Sequence, residues 1–214
     1  MSGYVSDAVV RRLPAYYRHL RELETQGVTE ISSRDLGERM QLNPCQIRQD
    51  INSFGGFGRQ GFGYSVEDLK GHIRKIMGLD QSHRIVVLGV GRTGQEIANH
   101  PAFADEGFPV AALFDADPAH PAQSTASVPA YPESELEARL PDLDAQIAVL
   151  ALPAAKAQEM LSRLRDLGIR AIWNISPVDL HPPRDMAVAN WHLHDTLQIL
   201  SYRINRMEEE LSRR

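Results

Sequence analysis

The chain has 214 residues, 43% of them apolar and 24% charged, which is the composition of a folded globular protein with one large core or two modest ones. No run approaches the roughly 18 apolar residues of a membrane span, and the N-terminus lacks a signal-peptide pattern, so we expect a cytoplasmic protein without a membrane partner. The net charge is −5, but residues 1–80 hold 11 Lys and Arg against 10 Asp and Glu, so any nucleic-acid surface there has to be a local patch.

The first fifty residues predict three helices. Apolar residues recur at spacings of three and four over residues 7–26, and Pro14 should kink or break this amphipathic helix before it ends at Gly27. Ser32 or Ser33 is a good N-cap for a second helix. Asn43 caps a third, with Pro44 at its first position.

The third helix, PCQIRQDINSF, has an apolar face and a polar, amide-rich face. With the second helix and a tight connection before it, this pattern predicts a helix-turn-helix. Amide and guanidinium side chains suit base edges in the major groove, whereas the alternative is a simply solvated face. The candidate DNA-binding residues in this region are Ser33, Gln46, Arg48, Gln49, Asn52 and Ser53.

A glycine-rich stretch follows, GGFGRQGFGY, with five glycines in residues 55–64. Phe57, Phe62 and Tyr64 alternate like strand residues, which favours a β-hairpin wing over a flexible linker. Arg59 at the tip suits a phosphate or the minor groove and is the seventh candidate DNA contact. A helix then ends at Gly78, and we place the boundary of the first domain, residues 1–80, within residues 79–83.

Strands and helices alternate from Arg84 onwards, which predicts a parallel, doubly wound sheet over residues 81–192. The predicted fold is therefore α/β, a winged helix-turn-helix domain followed by a Rossmann-type domain. Strands are expected at residues 84–88, 110–114, 147–152, 171–175 and 187–191, and helices at 94–99, 133–140 and 154–167.

The first of these strands leads into Gly89-x-Gly91-x-x-Gly94 and then a helix, the arrangement that binds a dinucleotide pyrophosphate. Asp115 ends the next strand, where a carboxylate accepts hydrogen bonds from the adenosine ribose and repels a 2′-phosphate, so the pattern favours NAD(H) over NADP(H). Asp117 could share that role or cap a turn. The candidate cofactor-binding residues are Gly89, Val90, Gly91, Arg92, Thr93, Gly94, Asp115, Asp117, Pro153 and Asn174.

Residues 193–214 carry a heptad-like apolar stripe on a terminal helix. The stripe could pack on its own domain or against a second subunit, and we favour the second, a dimerisation helix. Its members are Leu193, Leu197, Leu200, Ile204, Met207 and Leu211.

The histidines do not form a recognisable catalytic arrangement, so we expect a protein that senses a dinucleotide rather than an enzyme that uses one. His192-x-His194 with Asp195 could bind a metal, but a polar junction before the last helix is the simpler interpretation, and no metal is expected. Cys45, the single cysteine, excludes an intrachain disulfide and is either a reactive thiol or a small residue beside a helix.

Several motifs together resemble the Rex family of bacterial redox-sensing repressors. They run in order along essentially the whole chain as RRLPAYYRHLREL, QIRQDINSFGGFGRQGFGY, VVLGVGRTG, ALPAAKAQ and GIRAIWNISPVDL. The resemblance implies a homodimer whose terminal helices are swapped between subunits. It also implies binding to a palindromic DNA operator when NAD⁺ dominates and release when NADH binds.

The resemblance also implies roles for individual residues. Gly89, Gly91, Gly94 and Asp115 would hold the dinucleotide, and Arg48 and Arg59 would face DNA. Leu193 would lie in the junction near the nicotinamide, and Arg18, His100 and His192 align with switch positions between the domains. The chain differs from the family pattern at Gln49, where a basic residue is usual, and at Ser53, where a tyrosine is usual.

Three hypotheses follow. The favoured one is a repressor that senses the NADH/NAD⁺ ratio. The second is a Rex-like DNA-binding regulator whose ligand response is altered or lost, and the third is a small NAD-dependent oxidoreductase with an N-terminal oligomerisation domain.

Overall fold

Short helices build the first part of the chain in the computed structural model, which describes residues 5–55, 63–117, 119 and 127–213 and divides the chain into two compact units, residues 1–81 and 82–214. The elements of the first unit are α1 (Asp7–Val10), α2 (Leu13–Thr25), β1 (Glu30–Ile31), α3 (Ser33–Met40), α4 (Pro44–Phe54), β2 (Tyr64–Ser65) and α5 (Val66–Ile76).

The helix boundaries follow local sequence signals. The predicted break near Pro14 is confirmed, because α1 ends at Val10 and Pro14 lies in the first turn of α2, where a missing N–H costs nothing. Ser32 caps α3 by accepting a hydrogen bond from the Asp35 N–H at 3.1 Å. The Asn43 carboxamide oxygen caps α4 by accepting from the Cys45 N–H at 2.8 Å.

The core of the first unit lies between α2, α4 and α5. Leu20 and Leu23 of α2, Ile47 and Ile51 of α4, and Leu69 of α5 are all fully buried. Strand β1 pairs antiparallel with β2, with Ile31 opposite Tyr64. The sequence did not predict β1. The tip of the predicted wing, with Phe57, Arg59 and Phe62, lies outside the described residues.

The second unit contains a parallel sheet with the order β5-β4-β3-β6-β7-β8, which confirms the predicted α/β class. Its strands are β3 (Ile85–Leu88), β4 (Val110–Asp115), β5 (Ala130–Pro132), β6 (Ile147–Leu150), β7 (Ala171–Asn174) and β8 (Ala187–Asn190). Its helices are α6 (Arg92–Asn99), α7 (Pro101–Asp105), α8 (Leu136–Arg139, between 3₁₀ turns Glu133–Glu135 and Leu140–Leu143), α9 (Ala154–Asp166) and α10 (Asp195–Ser212). The sequence did not predict β5 and α7.

The strand order places a crevice at one edge of this sheet. The chain runs from β3 outward to β4 and β5, and then returns to β6 on the other side of β3. Helices before and after this reversal diverge, which leaves an opening beyond the carboxyl ends of β3 and β6. Both faces of the sheet are covered, because Val86 and Leu88 point into one core and Ile85 and Val87 into another.

The terminal helix α10 does not bury any of its residues in the single chain. Leu197 is 65% exposed, Leu200 44% and Met207 61%, so packing of the stripe on its own domain, one of the two predicted alternatives, is wrong. A contiguous apolar surface of this kind marks an interaction site. In the described part of the chain, no helix combines the length and apolarity that crossing a membrane would require.

We predict that substitutions on this stripe abolish self-association without unfolding the chain. Leu197→Glu with Ile204→Glu should weaken a dimer by at least about 100-fold, because each removes roughly 1.5–3 kcal/mol of apolar burial per copy. The matched control, Gln198→Glu with Asn205→Glu, adds the same two charges on the polar side of α10. Light scattering gives the mass and circular dichroism the fold, and a stripe variant that stays dimeric contradicts the prediction.

Candidate functional site

A buried carboxylate lies at the centre of the first unit. Asp50, on the inner face of α4, is 1% exposed and accepts hydrogen bonds from three side chains. Arg12 donates from Nε to Oδ2 at 2.6 Å and from Nη2 to Oδ1 at 2.8 Å. The Tyr16 hydroxyl donates to Oδ2 at 2.9 Å, and Gln46 Nε2 donates to Oδ1 at 2.7 Å.

These contacts keep the carboxylate charged. Burial opposes the charged form, but hydrogen bonds from Arg12, Gln46 and Tyr16 hold the pKa of Asp50 below its ordinary value. The hydrogen bond to Asp50 is also the main reason that the pKa of Arg12 is raised. The cluster therefore joins α2 to α4 through a charge-assisted, bidentate contact.

The buried cluster corrects one predicted base contact. Gln46 was expected on the outer, base-reading face of α4, yet its amide nitrogen turns back to Asp50 because the buried carboxylate needs donors. Ser53 is exposed, but its hydroxyl donates to the Asp50 carbonyl oxygen at 2.6 Å within the same helix. Fewer polar side chains are therefore available on the outer face of α4 than the sequence predicted.

The remaining polar residues of α4 form an exposed surface made of Arg48, Gln49 and Asn52. The Arg48 guanidinium is held in place, since Nη1 donates to Ser33 Oγ at 3.1 Å and Nη2 to Cys45 Sγ at 3.0 Å. Ser33 and the exposed Cys45 therefore support the arginine, an explanation for Cys45 that needs no reactive thiol. Arg59, the predicted wing contact, falls outside the described residues.

The glycine fingerprint of the second unit has the geometry that its spacing predicts. Gly89 has a φ of +108°, and a Cβ atom there would lie 2.4 Å from the Ala151 carbonyl oxygen. A Cβ atom on Gly94 would lie 1.8 Å from the Gly89 carbonyl oxygen, so only glycine allows α6 this close to β3. Gly91 has open space beside it, which leaves room for a ligand to approach the backbone.

A cleft of about 470 Å³ opens beyond this turn at the carboxyl edge of the sheet. Asp115 shapes it, because Oδ2 accepts from the Val90 N–H at 2.6 Å and Oδ1 from the Asp117 N–H at 2.9 Å. Asp117 in turn accepts from the Ala119 N–H at 2.9 Å, so it caps a turn as well as lining the cleft. The lining residues are Gly89, Gly91, Asp115, Ala116, Asp117, Ala151, Leu152, Pro153 and Lys156.

Several predicted cofactor residues lie away from the cleft surface. Asn174 is a correction: it is fully buried, its amide nitrogen donates to the Val178 carbonyl at 2.6 Å and to Asn190 Oδ1 at 2.8 Å, and it holds the β7–β8 connection instead. Val90 is buried, and its N–H is given to Asp115.

Two further candidates lie outside the cleft lining, whereas Lys156, which the sequence did not single out, belongs to it. Arg92 and Thr93 are exposed in the first turn of α6 and are not among the lining residues. Lys156 does line the cleft. Its signal in the sequence was its place three residues after Pro153, in the first turn of a helix at a strand end.

The aligned switch residues have partners within their own units or are exposed. His100 caps α7, with Nδ1 accepting from the Ala102 N–H at 3.2 Å, and His192 Nε2 lies 3.0 Å from Asp179 Oδ1. Arg18 is exposed on α2, and Leu193 is 66% exposed before α10. Neither histidine lines the cleft, and the described residues contain no cluster of three metal-ligating side chains at His192 and His194 or elsewhere.

Comparison with known proteins identifies the family. A model described as "Putative DNA-binding protein N-terminus" matches residues 4–52, and one described as "CoA binding domain" matches residues 80–178. The redox-sensing transcriptional repressor Rex of Caldanaerobacter subterraneus subsp. tengcongensis is 44% identical over 97% of this chain and 92% of its own length. The chain belongs to the Rex family. The Rex of Clostridioides difficile is 41% identical over 92% of the chain and 94% of its own length.

Solved Rex-family structures share the whole fold. A crystal structure of RSP in complex with β-NAD⁺ and operator DNA has a TM-score of 0.88 and 43% identity, covering 98% of this chain and 96% of that one. A structure of RSP in complex with β-NADH has a TM-score of 0.87 and 39% identity, covering 98% and 99%. The resemblance inferred from the motifs is thereby confirmed.

We predict that removing the Asp50 charge destabilises the first unit. Asp50→Asn should cost about 2–3 kcal/mol, less than the roughly 3–5 kcal/mol of fully buried pairs, because Arg12 is partly exposed. Arg12→Met combined with Tyr16→Phe and Asp50→Leu should cost less than Asp50→Asn alone, since neither a charge nor the buried Tyr16 hydroxyl is then left without a partner. Amide hydrogen exchange across α4 measures the loss, and equal protection in Asp50→Asn and the wild type would contradict it.

The same contact predicts the sign of the acid response. The pKa of Asp50 is lowered in the folded chain, so its contribution is fully present above the unfolded value of about 3.9 and is lost as the pH falls below that value. Protection of α4 in the wild type should therefore fall as the pH drops below about 4. Asp50→Asn should lack this part of the decrease, and parallel pH curves for the two proteins would count against the assignment.

Proposed function

We propose that this protein is a transcriptional repressor that binds operator DNA and leaves it when NADH occupies the nucleotide cleft. One observation supports the proposal: the same chain contains both kinds of site. Arg48 is exposed on a helix-turn-helix and held in position by Ser33, and the second unit has a cleft lined by glycines and Asp115. The relatives are named redox-sensing repressors, and RSP structures contain operator DNA with β-NAD⁺ or contain β-NADH.

The DNA-reading part of the proposal rests on α4. Hydrogen bonds to Ser33 and Cys45 hold the planar guanidinium of Arg48 in one orientation. Because the side chain is already ordered, it would lose less conformational entropy on binding DNA. A guanidinium suits the O6 and N7 atoms of guanine, and the Gln49 and Asn52 amides suit adenine. Gln49 stands where relatives usually have a basic residue. We therefore expect each α4 to bring one positive charge fewer to its operator half-site.

The sensing part of the proposal rests on the cleft. Open space at Gly91 lets a pyrophosphate approach the backbone at the start of α6. Each carboxylate oxygen can accept two hydrogen bonds, so the contacts of Asp115 with the Val90 and Asp117 N–H groups are compatible with a ribose hydroxyl as a further donor. The carboxylate would also repel a 2′-phosphate.

The active form in this proposal is a cytoplasmic homodimer without catalytic activity. The apolar stripe of α10 is exposed in the single chain and suits a second copy of the same helix or its domain. Two copies would present two α4 helices to a palindromic operator. Swapping of α10 between subunits, and the roles of Arg18, His100, His192 and Leu193 in the switch, remain predictions from the resemblance.

The deciding experiment selects bound DNA from a random pool, and then titrates NADH and NAD⁺ against the selected duplex while fluorescence anisotropy reports binding. Release by NADH and not by NAD⁺ supports the sensing repressor. Specific DNA binding that ignores both nucleotides would identify the regulator with a lost response. Turnover of an alcohol or hydroxy acid with NAD⁺ would identify the oxidoreductase.

We predict that Arg48→Ala weakens binding to the selected duplex by about 1–3 kcal/mol, the usual loss for a bidentate guanine contact. Ser33→Ala should have a smaller effect in the same direction because it only releases the arginine. Arg39→Ala is the control, an exposed arginine of α3 whose guanidinium contacts Gln26. If Arg48→Ala and Arg39→Ala bind the duplex with equal affinity, Arg48 does not contact the DNA.

We predict that Asp115→Asn relaxes the preference for NADH over NADPH by about tenfold, or roughly 1.4 kcal/mol, because the 2′-phosphate no longer meets a charge. Asparagine retains an acceptor for the Val90 N–H, so the turn is preserved better than with alanine. Asp166→Asn, at the end of α9, is the control for net charge. Calorimetry with both nucleotides measures the ratio, and an unchanged ratio in Asp115→Asn places the ribose elsewhere.

A further inference from the structure

The cleft has an unusual charge balance for a site that takes a dinucleotide. Asp115 and Asp117 both line it, so its acidic side chains oppose the two negative charges of a pyrophosphate. Lys156 is the one cation among the described lining residues. It is also the only lysine in residues 82–214, where the other basic side chains are arginines.

Lys156 occupies a position that helix electrostatics disfavours. It is the third residue of α9, and the N-terminal turn of a helix carries partial positive charge that repels a cation. No acidic residue offsets it in that turn, and Pro153 before the helix makes no side-chain cap. Lys156 is exposed, and within residues 5–55, 63–117, 119 and 127–213 no hydrogen bond or ion pair engages its ammonium group. A bound anion would remove this conflict.

Other donors converge on the same space. The 13-residue helix α9 begins at the part of the cleft formed by Leu152, Pro153 and Lys156, and α6 begins beside Gly91, which also lines the cleft. Neither helix has a side chain capping its first N–H groups. Two helix N-termini and an ammonium group therefore surround one cleft, and carboxylates lie at its β4 end.

We propose that Lys156 is a specificity-determining residue that binds the diphosphate group of the nucleotide in the cleft that the glycine turn also lines. Asp115 and Asp117 would then recognise the ribose side, and Lys156 with the two helix starts would recognise the phosphates. This inference rests on the proposed function for the identity of the dinucleotide. The contact with Lys156, however, would form with any nucleoside diphosphate. Selectivity for a diphosphate would then come from the junction between β6 and α9 as well as from the glycine turn at residues 89–94.

The test uses the full chain with three variants and three probes, ADP, NADH and adenosine. Lys156→Met removes the charge and keeps the length of the side chain, and Lys156→Arg keeps the charge. Arg170→Met is the matched control, since it removes one positive charge at the opposite, amino edge of the sheet, just before β7. Circular dichroism confirms that each variant is folded, and calorimetry gives the affinities.

We expect Lys156→Met to weaken ADP and NADH about tenfold, while adenosine binding and the Arg170→Met control stay at the wild-type values. Lys156→Arg should retain most of the affinity for ADP. Because the effect is electrostatic, the gap between wild type and Lys156→Met should narrow as the salt concentration rises from about 0.02 to about 0.5 M.

The other outcomes are equally decisive. ADP affinity that is the same in Lys156→Met and Arg170→Met overturns the inference, and so does an equal loss of adenosine and ADP affinity in Lys156→Met. A wild-type chain that binds neither ADP nor NADH overturns it together with the proposed function. A chain that binds ADP through Lys156 but does not bind NADH keeps the inference and rejects NADH sensing.

Discussion

The buried carboxylate of Asp50 is the contact on which the DNA-reading part of the fold depends. It lies on the inner face of α4, its partner Tyr16 lies on α2, and its partner Arg12 is the N-cap residue of α2, so one charged group fixes the distance and rotation between the two helices. A rotation of α4 that moved Arg48 would also break the bidentate contact between Arg12 and Asp50. Breaking a buried ion pair strongly destabilises the fold. Apolar packing of Ile47 and Ile51 alone would tolerate small rotations more easily, because it is not directional.

A second carboxylate has a comparable role in the nucleotide cleft. Asp115 fixes the fingerprint turn through the Val90 N–H and fixes its own loop through the Asp117 N–H. The same group is the proposed partner of the ribose, so the shape of the turn and the recognition of the ligand depend on one side chain. The tight packing at Gly89 and Gly94 adds rigidity, since neither position has room for a Cβ atom.

The sequence predicted those features that depend on local pattern. Pro14, Ser32 and Asn43 marked helix starts, and apolar strands followed by helices gave the parallel sheet, because period and capping act within a few residues. The two-residue strand β1 could not be predicted, since its only support is pairing with β2, more than thirty residues away. Gln46 and Asn174 were interpreted as ligand contacts because their polarity was visible but their buried partners were not. The contact between Arg12 and Asp50 spans 38 residues and has no periodic signal.

The exposed stripe of α10 connects these local sites to the proposed function, in which two copies act together. A helix without buried residues in its own chain gains little from intramolecular packing, and a short isolated helix is marginally stable in water. Burial of the stripe in a second copy would stabilise the helix and the dimer together. In the proposed function a single α4 would contact only a few base pairs, and its affinity for a half-site would be correspondingly weak. Joining two such helices would make the second half-site contact intramolecular, so that apolar burial on α10 would raise operator affinity without any further contact to DNA.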